Sequence, residues 1–168
     1  MTISSVAPVE RSRMQLEAML ADSVVSSEGK LYVQGAGWNV INTAKVPTRQ
    51  PRIGIALIVR VPYTATNQMH KFEVYLQDAD GNELPLADAP DAEGPDEKIR
   101  RLGGQFNVGR PPTLQPGDEQ LIALAINLDG LTFDRADSYK FVIELDGSPE
   151  KELSFRVNQV LQPGPIAG

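Results

Sequence analysis

The chain has 168 residues, 41% of them hydrophobic, with a formal net charge of −6 and no cysteine. This length suits one domain with a single core, and the negative charge argues against nucleic-acid binding by neutralisation of phosphates. The lack of cysteine excludes disulfides, thiolate nucleophiles and cysteine-ligated metals, and it fits the cytoplasmic location that we expect.

The sequence predicts three parts: a flexible N-terminal arm at residues 1–13, a single β-sandwich domain at residues 14–160, and a Pro/Gly-rich C-terminal tail at residues 161–168. The arm lacks the continuous apolar segment of a signal peptide. The longest apolar run covers residues 53–59, far short of the roughly 20 residues that cross a bilayer. We therefore expect no contact with membranes.

Strands are predicted along most of the domain, beginning with residues 14–26. This segment fits a helix or a strand, and the strand is favoured because Glu28-Gly29 would turn it directly into a second strand at residues 31–41. That second strand is expected to bend at its glycines. Residues 53–61 are apolar on both faces, which predicts a central strand.

Four later segments alternate apolar and polar residues with the period that places one set inside: 71–77, 121–128, 139–146 and 153–158. Asp80-Gly81 and Asp146-Gly147 are hairpin signals between such segments, and residues 86–98 predict an acidic surface loop. The recurring strands and turns predict an all-β fold. We expect an antiparallel β-sandwich, immunoglobulin-like or jelly-roll-like, of about eight or nine strands.

The residue types that commonly carry chemistry favour structural interpretations here. His70, the only histidine, lies just before a strand segment, and no G-x-S-x-G motif occurs, so we expect no enzyme activity. Gly35-Ala36-Gly37-Trp38 is similar to a dinucleotide loop, but Val40 stands where a third glycine is needed, and we expect no cofactor. Tyr139 follows a corner, which predicts a tyrosine corner whose hydroxyl bonds nearby backbone.

Two sets of residues are candidates for ligand binding. Tyr32, Trp38 and Tyr75 would form a platform for a sugar ring or for an apolar side chain of a partner, unless Trp38 fills the core. Asp78, Asp80, Asn82 and Glu83 would gather oxygens around calcium. Their spacing matches the start of an EF-hand loop, but the pattern fails at its sixth and twelfth positions. A hairpin at Asp80-Gly81 already explains these residues.

The chain also carries a set of short motifs spread over residues 14–158: Leu20-Ala21-Asp22, Gly29-Lys30-Leu31, Gly35-Ala36-Gly37-Trp38, the strand at 51–61, the segment 67–70, Asp80-Gly81, the segment 139–147 and Phe155-Arg156-Val157. Together these motifs resemble an uncharacterised family of small bacterial proteins of unknown function. The resemblance implies a sandwich similar to immunoglobulin-like domains, and it supplies neither an activity nor catalytic residues.

The function that we expect is a non-catalytic protein-interaction or assembly module that acts through sheet edges and terminal arms. Its partner would be another protein or further copies of the chain, and nucleic acid and membranes are not expected. The alternative is a β-sandwich module that binds carbohydrate or calcium. An enzyme with paired carboxylates is the third hypothesis, and nothing in the spacing of the acidic residues favours it.

Overall fold

A computed structural model describes residues 13–88 and 97–161 of the chain. Almost all of the predicted arm and tail, and most of the predicted acidic loop, lie outside these residues. The described part is all-β, and its strands in chain order are β1 (Gln15–Ala21), β2 (Ser23–Ser27), β3 (Lys30–Gln34), β4 (Val40–Thr43), β5 (Thr48–Pro62), β6 (Met69–Gln77), β7 (Glu83–Leu84), β8 (Ala87–Asp88), β9 (Lys98–Ile99), β10 (Arg101–Asn107), β11 (Glu119–Phe133), β12 (Ser138–Leu145) and β13 (Ser148–Gln159).

Two sheets contain most of the strands. The smaller has the order β1-β5-β11, and the larger has the order β10-β6-β12-β13-β4, with β7 added to β6. A separate hairpin is formed by β2 and β3, and β8 pairs with β9. The one helical segment in the described ranges is the 3-10 turn Tyr63–Ala65. None of the helical structure found there has both the length and the apolar character that a bilayer crossing requires.

The core lies between the two main sheets. Ile55 and Leu57 of β5 pack in one cluster with Phe141 and Ile143 of β12, and all four side chains are fully buried. Burial of a side chain of this size contributes about 1.5–3 kcal/mol to stability. These inward residues of β5 and β12 therefore hold the two sheets together. The inward positions predicted from the alternation of residues 139–146 are confirmed.

The number and direction of the strands differ from the expected eight or nine antiparallel strands. Thirteen strands are present in the described residues, and β4 lies parallel to β13. One cause of the larger number of strands is a break at Asp22, whose backbone N–H donates to the carbonyl of Gln34 at 3.0 Å. This break divides the predicted strand at residues 14–26, so that β1 joins the smaller sheet and β2 joins the hairpin. The preference for strand over helix in this segment is confirmed.

The single strand predicted at residues 31–41 is wrong, because the chain leaves the strand direction after β3. Gly35 has a φ of +65°, a conformation that glycine adopts without strain. A side chain at this position would also collide with the carboxylate of Asp22. The chain then crosses from the hairpin to the larger sheet and enters β4, beside β13. The parallel pair follows from this crossing.

Short-range turn signals are confirmed at three positions. Glu28 and Gly29 connect β2 to β3, Gly81 lies in the turn between β6 and β7, and Asp146-Gly147 connects β12 to β13. Tyr139 forms the predicted corner contact, since its hydroxyl donates to the carbonyl of Arg135 at 2.7 Å. Burial raises the pKa of Tyr139 above its ordinary value.

Candidate functional site

The three aromatic residues predicted as a platform lie in different environments. Tyr32 on β3 is 56% exposed. Tyr75 on β6 is 6% exposed and lies beneath Arg101, whose guanidinium carbon is 4.1 Å from the ring centroid. Trp38 packs edge-on against Phe155, with 6.1 Å between ring centroids. The structure therefore does not bring the three rings together, and Trp38 contributes mainly to packing.

The four residues predicted to hold calcium are engaged by other groups. Asp78 accepts the backbone N–H groups of Asn82 at 2.9 Å and of Asp80 at 3.0 Å, and these hydrogen bonds lower the pKa of Asp78. The carboxylate of Glu83 is bound by Arg101, which lowers the pKa of Glu83. Across residues 13–88 and 97–161, no three Asp, Glu, His or Cys side chains lie close enough to share a metal ion.

His70 is buried and hydrogen-bonded through both ring nitrogens. Its Nδ1 lies 2.8 Å from a carboxylate oxygen of Asp146, and its Nε2 lies 2.7 Å from the carbonyl of Ala65. A carbonyl and a carboxylate both accept hydrogen bonds, so this pair of partners favours the imidazolium, in which both ring nitrogens donate. Burial lowers the pKa of His70, but the bonds to Ala65 and Asp146 outweigh that effect and raise the pKa overall.

The β2–β3 hairpin lies on the outer side of the smaller sheet. Val24 of the hairpin is buried together with Ala21 and Ala56 of the sheet, and Leu31 and Val33 pack against the same cluster. The sheet can accept the hairpin because its outward residues here are small. At Gly54, even a Cβ atom would lie 2.9 Å from a methyl group of Val24.

Asn127 fixes the hairpin to β11. Its amide nitrogen donates to the carbonyl of Val24 at 2.7 Å, and its amide oxygen accepts the N–H of Val24 at 3.0 Å. The hydroxyl of Ser26 also donates to the carbonyl of Ala123 at 3.2 Å. One side chain thus satisfies both backbone groups of a hairpin residue, as a neighbouring strand would.

Several apolar side chains on this side of the molecule remain uncovered. Val25 and Tyr32 pair across the hairpin and point away from the sheet, since their neighbours Val24 and Val33 pack on it. Beside the hairpin, the sheet exposes Met19 and Leu121. The exposed fractions of Met19, Val25, Tyr32 and Leu121 are 47%, 55%, 56% and 59%. We define the hairpin face as these four residues together with the partly exposed Ile58.

Charged residues lie among the apolar side chains of the hairpin face, since Arg60 is opposite Leu121 and Glu17 is opposite Ile58 in the strand register. The guanidinium of Arg60 contacts the carboxylates of Glu17 at 3.0 Å and Glu119 at 3.3 Å. These bonds, chiefly the one to Glu17, raise the pKa of Arg60 above its ordinary value. Because these charges bind one another within the chain, the remaining surface of the hairpin face is apolar and suits contact with another apolar surface.

The hairpin face was not predicted from the sequence, although a signal was present. In the alternating segment at residues 121–128, the set assigned to solvent begins with Leu121, Ala123 and Ala125. A strand with a fully solvated outer face normally carries polar residues there. The apolar outer set of this strand indicated that something covers it. The hairpin covers part of it, and Leu121 remains exposed.

Comparison with known proteins adds a family but no activity. Residues 16–158 match the model of a protein family of unknown function. The resemblance drawn from the sequence motifs to a family of unknown function is therefore confirmed. No curated protein matches the chain.

Proposed function

Because the chain belongs to DUF6941, a family of unknown function, we propose a function from its own surface: a non-catalytic protein-interaction module that assembles with a second copy of itself through the hairpin face. The observation that carries this proposal is the uncovered apolar surface. Four of the eight large apolar side chains that are exposed in the described residues belong to the hairpin face. Clustered apolar surface of this kind is typical of interaction sites.

The charge distribution restricts where a second copy can bind. Each chain carries a formal charge of −6, so two copies repel each other over most of their surfaces. On the hairpin face, Arg60 binds the carboxylates of Glu17 and Glu119 within the same chain, so the charges there largely offset one another. A two-fold contact would place this face against its own copy, apolar surface on apolar surface.

In the part of the chain that the structure describes, a sheet edge extends the same surface. Leu121 lies on β11, which is the last strand of the smaller sheet. Edge strands carry backbone groups that can pair with another chain. Association at the hairpin face would bring the β11 edge close to the second copy. This edge corresponds to the sheet-edge interaction expected from the sequence.

His70 supports a non-catalytic role, because both of its ring nitrogens are already bound and neither is free to accept a proton.

We also propose that the fold is a sandwich of the immunoglobulin-like or jelly-roll-like type, since the two main sheets share one core. A cytoplasmic location is part of the same proposal and rests on the cysteine-free sequence alone.

The test is a measurement of mass over a range of protein concentrations, by sedimentation equilibrium or by size-exclusion chromatography with light scattering. The wild-type protein should shift from monomer to dimer as concentration rises. Leu121→Lys should weaken the association by about tenfold or more, because it places an ammonium group in an apolar contact.

Met69→Lys is the matched control. Met69 is 62% exposed and Leu121 is 59% exposed, and Met69 begins β6 in the other sheet. Both variants change the net charge equally, so only Leu121→Lys should impair the dimer. A protein that stays monomeric at every concentration, or equal effects of the two substitutions, would contradict the proposal.

A further inference from the structure

A second surface feature lies on the larger sheet and is independent of the hairpin face. A shallow depression of about 580 Å³ opens where β12, β13 and β4 lie side by side. Its outward residues alternate with the buried Tyr139, Phe141 and Phe155. The depression exists because the outward serines at 138 and 154 are short, whereas their neighbours are long.

Donor groups surround this depression. Ser138 lies opposite Arg156, and Lys140 lies opposite Ser154, in the register of β12 and β13. Cross-strand neighbours of this kind have Cβ atoms about 5 Å apart, so two cationic groups and two hydroxyls fall within one small area. Such a group of donors suits an oxygen anion.

Arg156 is the available charge in this group. Lys140 already contacts the carboxylate of Glu152 at 3.0 Å. Arg156 is exposed, and the ion pairs formed among residues 13–88 and 97–161 do not include it. Of the two cations that line the depression, Arg156 is therefore the one without a carboxylate partner.

We propose that this depression binds the carboxylate of a small monocarboxylic acid, with Arg156 as the main contact. A guanidinium offers two parallel N–H donors that match a carboxylate, and the hydroxyls of Ser138 and Ser154 can donate to the same group. Val40, which is 43% exposed and lines the depression, offers an apolar surface for the body of the acid.

The charge of the surroundings favours a monoanion over phosphate. Asp78 also lines the depression, and the chain carries a formal charge of −6. A second negative charge on the ligand would therefore meet repulsion from Asp78 and from the whole molecule, with only one free guanidinium to compensate. Carboxylate should bind more tightly than phosphate at equal ionic strength.

The test is a titration followed by the amide and indole N–H signals in nuclear magnetic resonance spectra. Butyrate is the probe, and phosphate and chloride are the comparison anions at equal ionic strength. Trp38 is the only tryptophan and packs against Phe155, which lines the depression, so its indole signal reports on the site. Butyrate should give saturable shifts of this signal and of the Ser154 amide.

Two variants identify the contact. Arg156→Gln should weaken butyrate binding by about tenfold, since a charge-assisted pair is lost, and Ser154→Leu should block the depression without a change in charge. Arg49→Gln is the matched control, because Arg49 is an exposed arginine outside this depression. The proposal is overturned if chloride gives the same shifts, if phosphate binds more tightly than butyrate, or if the two arginine variants weaken binding equally.

Discussion

His70 and Asp146 form a clip between two distant parts of the chain. Asp146 lies in the turn between β12 and β13, and it accepts both the His70 ring and the backbone N–H of Lys71 at 2.9 Å. Burial acts to raise the pKa of Asp146, but the bonds from Lys71 and His70 lower it overall. Each partner thus favours the charged form of the other.

This clip predicts a specific dependence of stability on pH. The pKa of His70 is raised in the folded protein, so its contribution is complete below the unfolded value of about 6.5 and is lost as the pH rises through the folded value. The pKa of Asp146 is lowered, so its contribution is lost only under more acidic conditions, below about pH 4. The clip should be strongest between these limits.

The prediction is tested by denaturant unfolding of the wild type and His70→Gln at about pH 5.5 and about pH 9. The difference in the free energy of unfolding between the two proteins should be larger at the lower pH by about 1 kcal/mol. This is the contribution of a hydrogen bond between charged groups, lowered because Asp146 is partly exposed to solvent. Asp146→Asn should reduce the same dependence while it preserves the turn, since asparagine tolerates the φ of 49° at this position. A difference that is independent of pH would show that the ring is neutral.

From the sequence alone, the structural role of His70 was predicted, but its partner Asp146 was not. A structural role for His70 follows from its position before a strand, and the contacts of its ring agree with that role. Its partner could not be predicted, because Asp146 is separated from it by 76 residues. Asp146 is explained locally by its hairpin turn, and its contact with the histidine depends on the pairing of β6 with β12.

At the scale of elements, the docking of the hairpin depends on one side chain. Asn127→Ala would remove both hydrogen bonds to Val24 and leave two backbone groups of the hairpin without their partner. Each unsatisfied buried group costs about 1–3 kcal/mol. We expect the hairpin to open locally while the two main sheets remain folded.

Hydrogen exchange measures this opening. In Asn127→Ala the amides of β2 and β3 should exchange faster, whereas those of β12 and β13 should be unchanged. Asn127→Asp keeps the acceptor for the N–H of Val24 and loses the donor, so its effect should be smaller. Asn42→Ala, an exposed site on β4, is the control, and equally fast exchange in that variant would argue against the anchoring role of Asn127.

The elements differ in how far the sequence determines them. Glu28-Gly29 and Asp146-Gly147 are local signals, because the turn conformation depends on those residues themselves. The end of β3 and the start of β4 are not local. They depend on the bond of Asp22 to Gln34 and on the close approach of Gly35 to the Asp22 side chain. Alternation predicts that a segment is a strand, but it does not predict where a contact from elsewhere interrupts it.

For the whole molecule, the sequence predicted the inner side of the sheets better than the outer side. The inward positions of β5 and β12 follow from alternation, and they form the core. In β11 the inward residues and the outward residues both begin with apolar or small side chains. The pattern therefore does not show which part of the outer side of β11 the hairpin covers. The exposure of Leu121 depends on the length and position of that hairpin, which are tertiary features.

The apolar character of the hairpin face leads to a prediction about salt. Two copies with a formal charge of −6 repel each other, and this repulsion is screened as the Debye length falls from about 20 Å at 0.02 M salt to about 7 Å at 0.2 M. An apolar contact is not weakened by that screening. Dimerisation of the wild type should therefore become stronger with added salt, as measured by sedimentation equilibrium at the two ionic strengths. A contact built on ion pairs, such as those that Arg60 can make with carboxylates, would instead weaken, and that result would contradict an apolar contact through the hairpin face.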